Sequence, residues 1–139
     1  MHALRDTRGL DLATALRALA APLPKPALEL RIDDAVRIED PALAETLLRV
    51  VQEALTNAAR HAGANTLTVT LRRDGNSVRL GVEDDGQLRG PLRPGNGLAG
   101  MRERIDACGG TLDFASTARG ALRIEATLPL AAPAPGMPA

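Results

Sequence analysis

The chain has 139 residues, 45% of them hydrophobic, and its 17 basic residues balance 17 acidic ones. This is one domain of ordinary size, long enough for a core without disulfides or metals. A single Phe with no Tyr or Trp implies an aliphatic core and excludes base stacking on aromatic side chains, while the zero net charge argues against nucleic acid or an anionic membrane as partner.

Residues 1–9 carry no pattern. From Leu10 to Leu23, Leu12, Leu16, Leu19 and Ala20 share one helical face, with Asp11 placed to cap the helix and Pro22 and Pro24 to end it. ALELRID, Ala27 to Asp33, alternates with Leu28, Leu30 and Ile32 on one side, as a half-buried strand does. Pro41 opens a long helix that Gly63 ends. Leu47, Leu48, Val51, Ala54, Leu55, Ala58 and Ala62 cover half of its circumference, and Arg49, Glu53, Asn57, Arg60 and His61 crowd into roughly a third on the other side. Two strands follow, joined by a turn at Asp74–Gly75, the second with Val78, Leu80 and Val82 inward. Gly86 to Gly97 has four Gly and two Pro and reads as a long functional loop. A short helix from about Leu98 to Cys108 stops at Gly109–Gly110, and two alternating strands complete the domain. Cys108 has no basic partner in the pattern and reads as a buried, reduced thiol.

The order α-β-α-ββ-loop-α-ββ predicts a two-layer α/β sandwich, a mixed sheet covered by helices on one face. Residues 1–26 read as an N-terminal linker and short helix, 27–130 as the folded domain, and 131–139 as a disordered Pro/Ala tail. No apolar run approaches the length of a membrane span and no signal peptide opens the chain, so a cytoplasmic domain is expected.

Three motifs carry chemistry. In QEALTNAARHAGA, Gln52 to Ala64, Glu53, Asn57, Arg60 and His61 lie on one face. An Asn amide oxygen can ligate Mg²⁺, a carboxylate one turn earlier can take a proton, and Arg and His can meet phosphate oxygens. The same face also suits plain solvation with i,i+4 pairs. VEDDG, Val82 to Gly86, ends a strand in three acids and a glycine; these can bind metal, shape a turn, or accept a hydrogen bond from a ligand's amino group. GNGLAGM, Gly95 to Met101, places glycines before a helix N-terminus, where free N–H groups and the helix dipole attract anions.

In this order and spacing, the three motifs resemble the ATP-binding domain of bacterial sensor histidine kinases, which shares its Bergerat-type fold with gyrase, heat-shock chaperone and mismatch-repair ATPases. The likeness runs from about Leu10 to Leu130. QEALTNAARHAGA looks like the N box, VEDDG the G1 box and GNGLAGMRERI the G2 box; the MRER wording resembles the subfamily paired with NarL/LuxR-type response regulators. The resemblance implies ATP and Mg²⁺ as cofactors. It implies Asn57 as Mg²⁺ ligand and Glu53 as general base toward a phosphoacceptor histidine, with Arg60 and His61 at phosphate or ribose. It further implies Asp84 as acceptor for the adenine amino group, Gly86 beneath the purine, and Gly95, Gly97 and Leu98 around the phosphates.

Two departures accompany it. Leu88 stands where the G1 box usually has a second glycine, with Gly90 close by, and Gly120-Ala121 replaces the usual Gly-Thr, whose hydroxyl contributes about 1 kcal/mol. The only histidines are His2 and His61, neither in the helical context of a phosphoacceptor. The resemblance therefore implies that a dimerisation domain elsewhere in a parent protein supplies the acceptor, that a membrane anchor, where there is one, belongs to that parent, and that the isolated domain is a monomer. A degenerate nucleotide-binding or interaction module, and an anti-sigma-type serine kinase on the same fold, are the alternative readings.

Overall fold

The computed structural model describes residues 8–86, 98–118 and 120–130. The glycine-rich segment with Gly95 and Gly97, and the tail at 131–139, lie outside the described residues.

Helix α1 (Arg8–Ala20) starts before Asp11, which is therefore a residue inside the helix and not its cap. Leu12 and Leu16 are buried, and Leu19 and Ala20 pack against the same core. Helix α2 (Pro41–Asn57) is capped by Asp40, whose side chain accepts the Ala42 N–H at 3.0 Å; Pro41 occupies the first turn, where no N–H is needed. Leu47, Val51, Ala54, Leu55 and Ala58 are buried as the apolar arc requires. Thr46 and Val50 are buried too, although they fall on the polar side of that arc. Helix α3 (Leu98–Ala107) packs along that flank. Where the two helices meet, Thr46 Oγ1 donates to the Ala42 carbonyl at 3.0 Å and lies 3.3 Å from Cys108 Sγ. Cys108, expected to be buried, is half-buried just beyond the end of α3.

Strands β1 (Ala27–Ile32) and β2 (Thr66–Asp74) are parallel neighbours. Such a pair needs a crossover, and α2 is that crossover, laid on one face of the sheet. Strand β3 (Ser77–Asp84) returns antiparallel to β2 through Gly75–Asn76. The turn sits one residue later than expected, since Asp74 still pairs with Ser77 and Gly75 supplies the positive φ of 62°. Strands β4 (Thr111–Ser116) and β5 (Leu122–Pro129) form the last hairpin, and β5 inserts beside β3, so that the sheet order is β1-β2-β3-β5-β4.

Alternation places Leu67, Val69 and Leu71 of β2, Val78, Leu80 and Val82 of β3, and Ile124, Ala126 and Leu128 of β5 in one aliphatic core under the helices. The lone Phe114 packs half-buried at the β4 edge, with the Arg102 guanidinium 5.5 Å from its ring centre. Gly110 lets α3 descend onto β5: a Cβ there would stand 2.5 Å from the Thr127 carbonyl oxygen. The result is a mixed sheet with helices on one face. Among the described residues, no helix is long and apolar enough to cross a membrane.

Candidate functional site

The sheet register decides where the predicted residues meet. Leu67, at the start of β2, pairs with Asp84, at the end of β3, and Glu83 pairs with Arg123 near the start of β5. The exit of α2 therefore reaches the sheet at the same end as the VEDDG motif and the β4–β5 turn. Because Cys108 meets Thr46, near the opposite end of α2, α3 runs away from this end and Leu98 starts toward it.

Strand period two puts Asp84 in the inward series Val78, Leu80, Val82, Asp84, and only 6% of its surface is exposed. Its Oδ1 accepts the Gly86 N–H at 2.9 Å. Burial pushes its carboxyl above the ordinary carboxylate range; the Gly86 hydrogen bond opposes that, while the charges of Asp85 and Glu83 add to it. Gly86 is buried beside it. An inward carboxylate at a strand end, with one oxygen committed to the backbone, suits a ligand that brings its own N–H donor.

Glu53 and Asn57 are half-buried, one turn apart on α2. Neither side chain makes a hydrogen bond or ion pair to another described residue. After Asn57 the helix widens into a π turn (Ala58–Ala62), in which the Gly63 N–H reaches back to the Ala58 carbonyl; Gly63 itself is left-handed, φ 61°. The α-helical spacing expected as far as Gly63 thus ends five residues early, and the turn carries Arg60, which is exposed, and His61. π turns of this kind redirect side chains at helix ends. The side chains of His61 and Leu98 are not among those described.

Two features escaped the sequence reading. The Asp85 carboxylate is engaged by the backbone: its Oδ1 accepts the backbone N–H groups of Asn65 at 2.8 Å and Thr66 at 2.9 Å. The β4–β5 turn also lines the site. A depression of about 470 Å³ beside Asp84 is bounded by Glu83, Asp85, Thr117, Ala118 and Ala121. Thr117 holds that wall, since its N–H donates to the Ala121 carbonyl at 2.8 Å and its Oγ1 accepts the Ala121 N–H at 3.0 Å. Position 121 carries no hydroxyl, but Thr117 brings one to the same depression. A larger concavity of about 540 Å³ is the open face of the twisted sheet, lined by Thr68, Thr70, Arg72 and Arg79 among others. It contains none of the predicted site residues and is a solvated sheet surface.

No group of three or more His, Cys, Asp or Glu among the described residues suits a metal ion. That excludes a cage built of such side chains there, but Mg²⁺ seldom uses one. It keeps waters and takes one or two protein ligands together with substrate phosphates. A half-buried Asn57 amide one turn from Glu53, without a partner among the described residues, fits that donor set.

Such an arrangement defines a class: a nucleotide-binding ATPase domain in which the end of a crossover helix and the end of a strand come together at one end of a mixed sheet. The chain belongs to the histidine kinase-, DNA gyrase B- and HSP90-like ATPase family, whose model matches residues 42–132. It is 36% identical over 134 residues to the sensor histidine kinase YxjM of Bacillus subtilis, covering 94% of this chain and 33% of that protein. To the signal transduction histidine-protein kinase/phosphatase UhpB of Salmonella typhimurium it is 36% identical over 131 residues, covering 90% of this chain and 26% of that one. Among solved structures, the histidine kinase domain of the Erythrobacter litoralis EL346 blue-light activated histidine kinase shares the fold, with a TM-score of 0.67 at 20% identity over 88% of this chain and 60% of that one. The chain thus corresponds to the ATP-binding catalytic domain of sensor histidine kinases and spans about a third or less of the curated relatives' length.

Proposed function

We propose that this domain binds ATP with Mg²⁺ and delivers the γ-phosphoryl group to a histidine on a dimerisation domain supplied by the rest of a sensor kinase. The observation that carries this reading is Asp84, an inward carboxylate with one oxygen held by Gly86, at the same end of the sheet as Glu53 and Asn57, which have no partner among the described residues. Asp84 accepts a hydrogen bond from the adenine amino group, a contact that guanine, with a carbonyl at that position, does not offer. Gly86 leaves room for the ring. Arg60 and His61 meet phosphate or ribose oxygens. Leu98 begins the helix whose N-terminus receives the phosphates, preceded by Gly95 and Gly97.

Asn57 would hold the Mg²⁺, which supplies neutralisation of phosphate charge when bound. In the transfer itself, the acceptor imidazole nitrogen forms a bond to the γ-phosphorus as the bond to the β–γ bridging oxygen breaks, and ADP leaves with that electron pair. Glu53 accepts the proton on the other ring nitrogen, so that the attacking nitrogen keeps its lone pair. The product passes its phosphoryl group to a response regulator, for which the MRER wording suggests the NarL/LuxR type. In the parent kinase this domain faces the cytoplasm, and alone it is monomeric. Calorimetry with ATP and GTP tests the base assignment: ATP binds with Mg²⁺ and GTP binds at least tenfold more weakly, roughly the loss of one hydrogen bond with a buried group left unpaired. Equal affinities would remove Asp84 from the base site.

A further inference from the structure

We propose that Asp85 is a positioning residue for the nucleotide site, locking the strand end that carries Asp84 to the segment that leaves the π turn. The proposal rests on the nucleotide reading above. Three hydrogen bonds form the lock. Asp85 Oδ1 accepts from Asn65 N–H at 2.8 Å and Thr66 N–H at 2.9 Å, and Asp85 N–H donates to the Thr66 carbonyl at 3.2 Å. An acid that merely shapes its own turn bonds to N–H groups two or three residues ahead. The partners of Asp85 are 20 and 19 residues back in the chain.

The anchored segment is short. Only Gly63, Ala64 and Asn65 separate the π turn from β2, and Asn65 is gripped from a second side, where its carbonyl accepts the Ala27 N–H at 2.7 Å. Arg60 lies in the π turn that precedes this link, Asn57 ends the helix before that turn, and Asp84 lies immediately before Asp85. The clamp therefore fixes the distance between the group that meets the base and the groups that meet the phosphates. One ligand must span both, so a loose link weakens binding without unfolding the core.

Asp85→Ala, Asp85→Asn and Asp85→Glu in the full 139-residue chain test this, by calorimetry with ATP and Mg²⁺ well below each variant's melting temperature. Asp85→Asn keeps an oxygen where both N–H groups point, and should bind ATP within about threefold of wild type. Asp85→Ala loses the acceptor and should bind at least about tenfold more weakly, because nothing then holds the Asn65 and Thr66 N–H groups to the strand end and the link is loosened. Asp85→Glu keeps the charge but displaces the oxygen by one methylene and should also bind more weakly; with Asp85→Asn it carries the test if the alanine variant does not fold. Wild-type affinity in the folded Ala and Glu variants, whatever their melting temperatures, would reduce Asp85 to a structural acid and overturn the proposal. So would an Asn variant as weak as Ala, because charge and not acceptor geometry would then be at work. Failure of the wild type to bind ATP would instead overturn the nucleotide reading itself, and the clamp's role with it.

Discussion

Asp84 Oδ1 and the Gly86 N–H are joined at 2.9 Å across the residue between them. One carboxylate oxygen is thereby committed to the strand end, and the other takes no hydrogen bond from any described residue. Replacing Asp84 by Asn keeps an acceptor for Gly86 but presents an NH₂ group, or a weaker acceptor, to an incoming amino group. ATP affinity should fall about tenfold or more, while the domain stays folded. A variant that binds ATP as wild type does would exclude Asp84 from base recognition.

The same residue predicts a pH effect on stability. Its folded carboxyl titrates above the unfolded value because of burial and the adjacent Asp85 and Glu83 charges. A raised value means that the protonated form is the better buried one. The contribution is fully present below the ordinary carboxylate value and is lost as pH rises through the raised folded value. At neutral pH the ionised Asp84 is therefore a cost, and Asp84→Asn should melt at or above the wild-type temperature there, with the difference shrinking on acidification. A variant that melts lower at pH 7 and higher in acid would reverse this sign.

Glu53→Gln separates binding from chemistry. The amide preserves shape but accepts no proton, so ATP should bind within a few-fold of wild type while phosphoryl transfer to an added histidine-bearing dimerisation domain falls by two orders of magnitude or more, roughly the span of general-base effects. Loss of binding would instead make Glu53 part of the phosphate or metal shell.

Gly110→Ala addresses the scaffold. Its Cβ would meet the Thr127 carbonyl at 2.5 Å and Ile105 and Leu128 at 3.1 and 3.2 Å, two of these contacts with well-packed core side chains. A loss of about 2 kcal/mol or more in urea unfolding is expected. Gly81→Ala serves as the control, since its Cβ would meet only Thr70 at 3.8 Å and should leave stability nearly unchanged.

Much of this was written in periodicity. The helical spacing of Glu53, Asn57 and Arg60 marks one polar face and the alternation through Val78, Leu80 and Val82 one inward series; the family resemblance, not the spacing, joins them into one candidate site. What stayed hidden depends on partners distant in the chain. Thr46 and Val50 are buried on the polar side of the arc, and Thr46 meets Cys108 just beyond α3, a contact that a single helix's pattern does not disclose. The π turn needs no particular residue type, only one extra residue per turn, so AARHA reads as ordinary helix. The hairpin shifted by one because Gly75 satisfies either register, and the Asp85 clamp joins backbone groups that carry no sequence mark at all.

The sheet order has a consequence for biosynthesis. Strand β3 lies between β2 and β5, yet β5 is the last of the described strands in chain order. While a ribosome is still making residues 87–121, the Asp84 strand has a partner on one side only and its other edge is unpaired, open to association with other nascent chains. That edge is paired only when residues 122–129 emerge and insert. A transcript truncated before Leu122 would therefore produce every motif of the nucleotide site and no working domain.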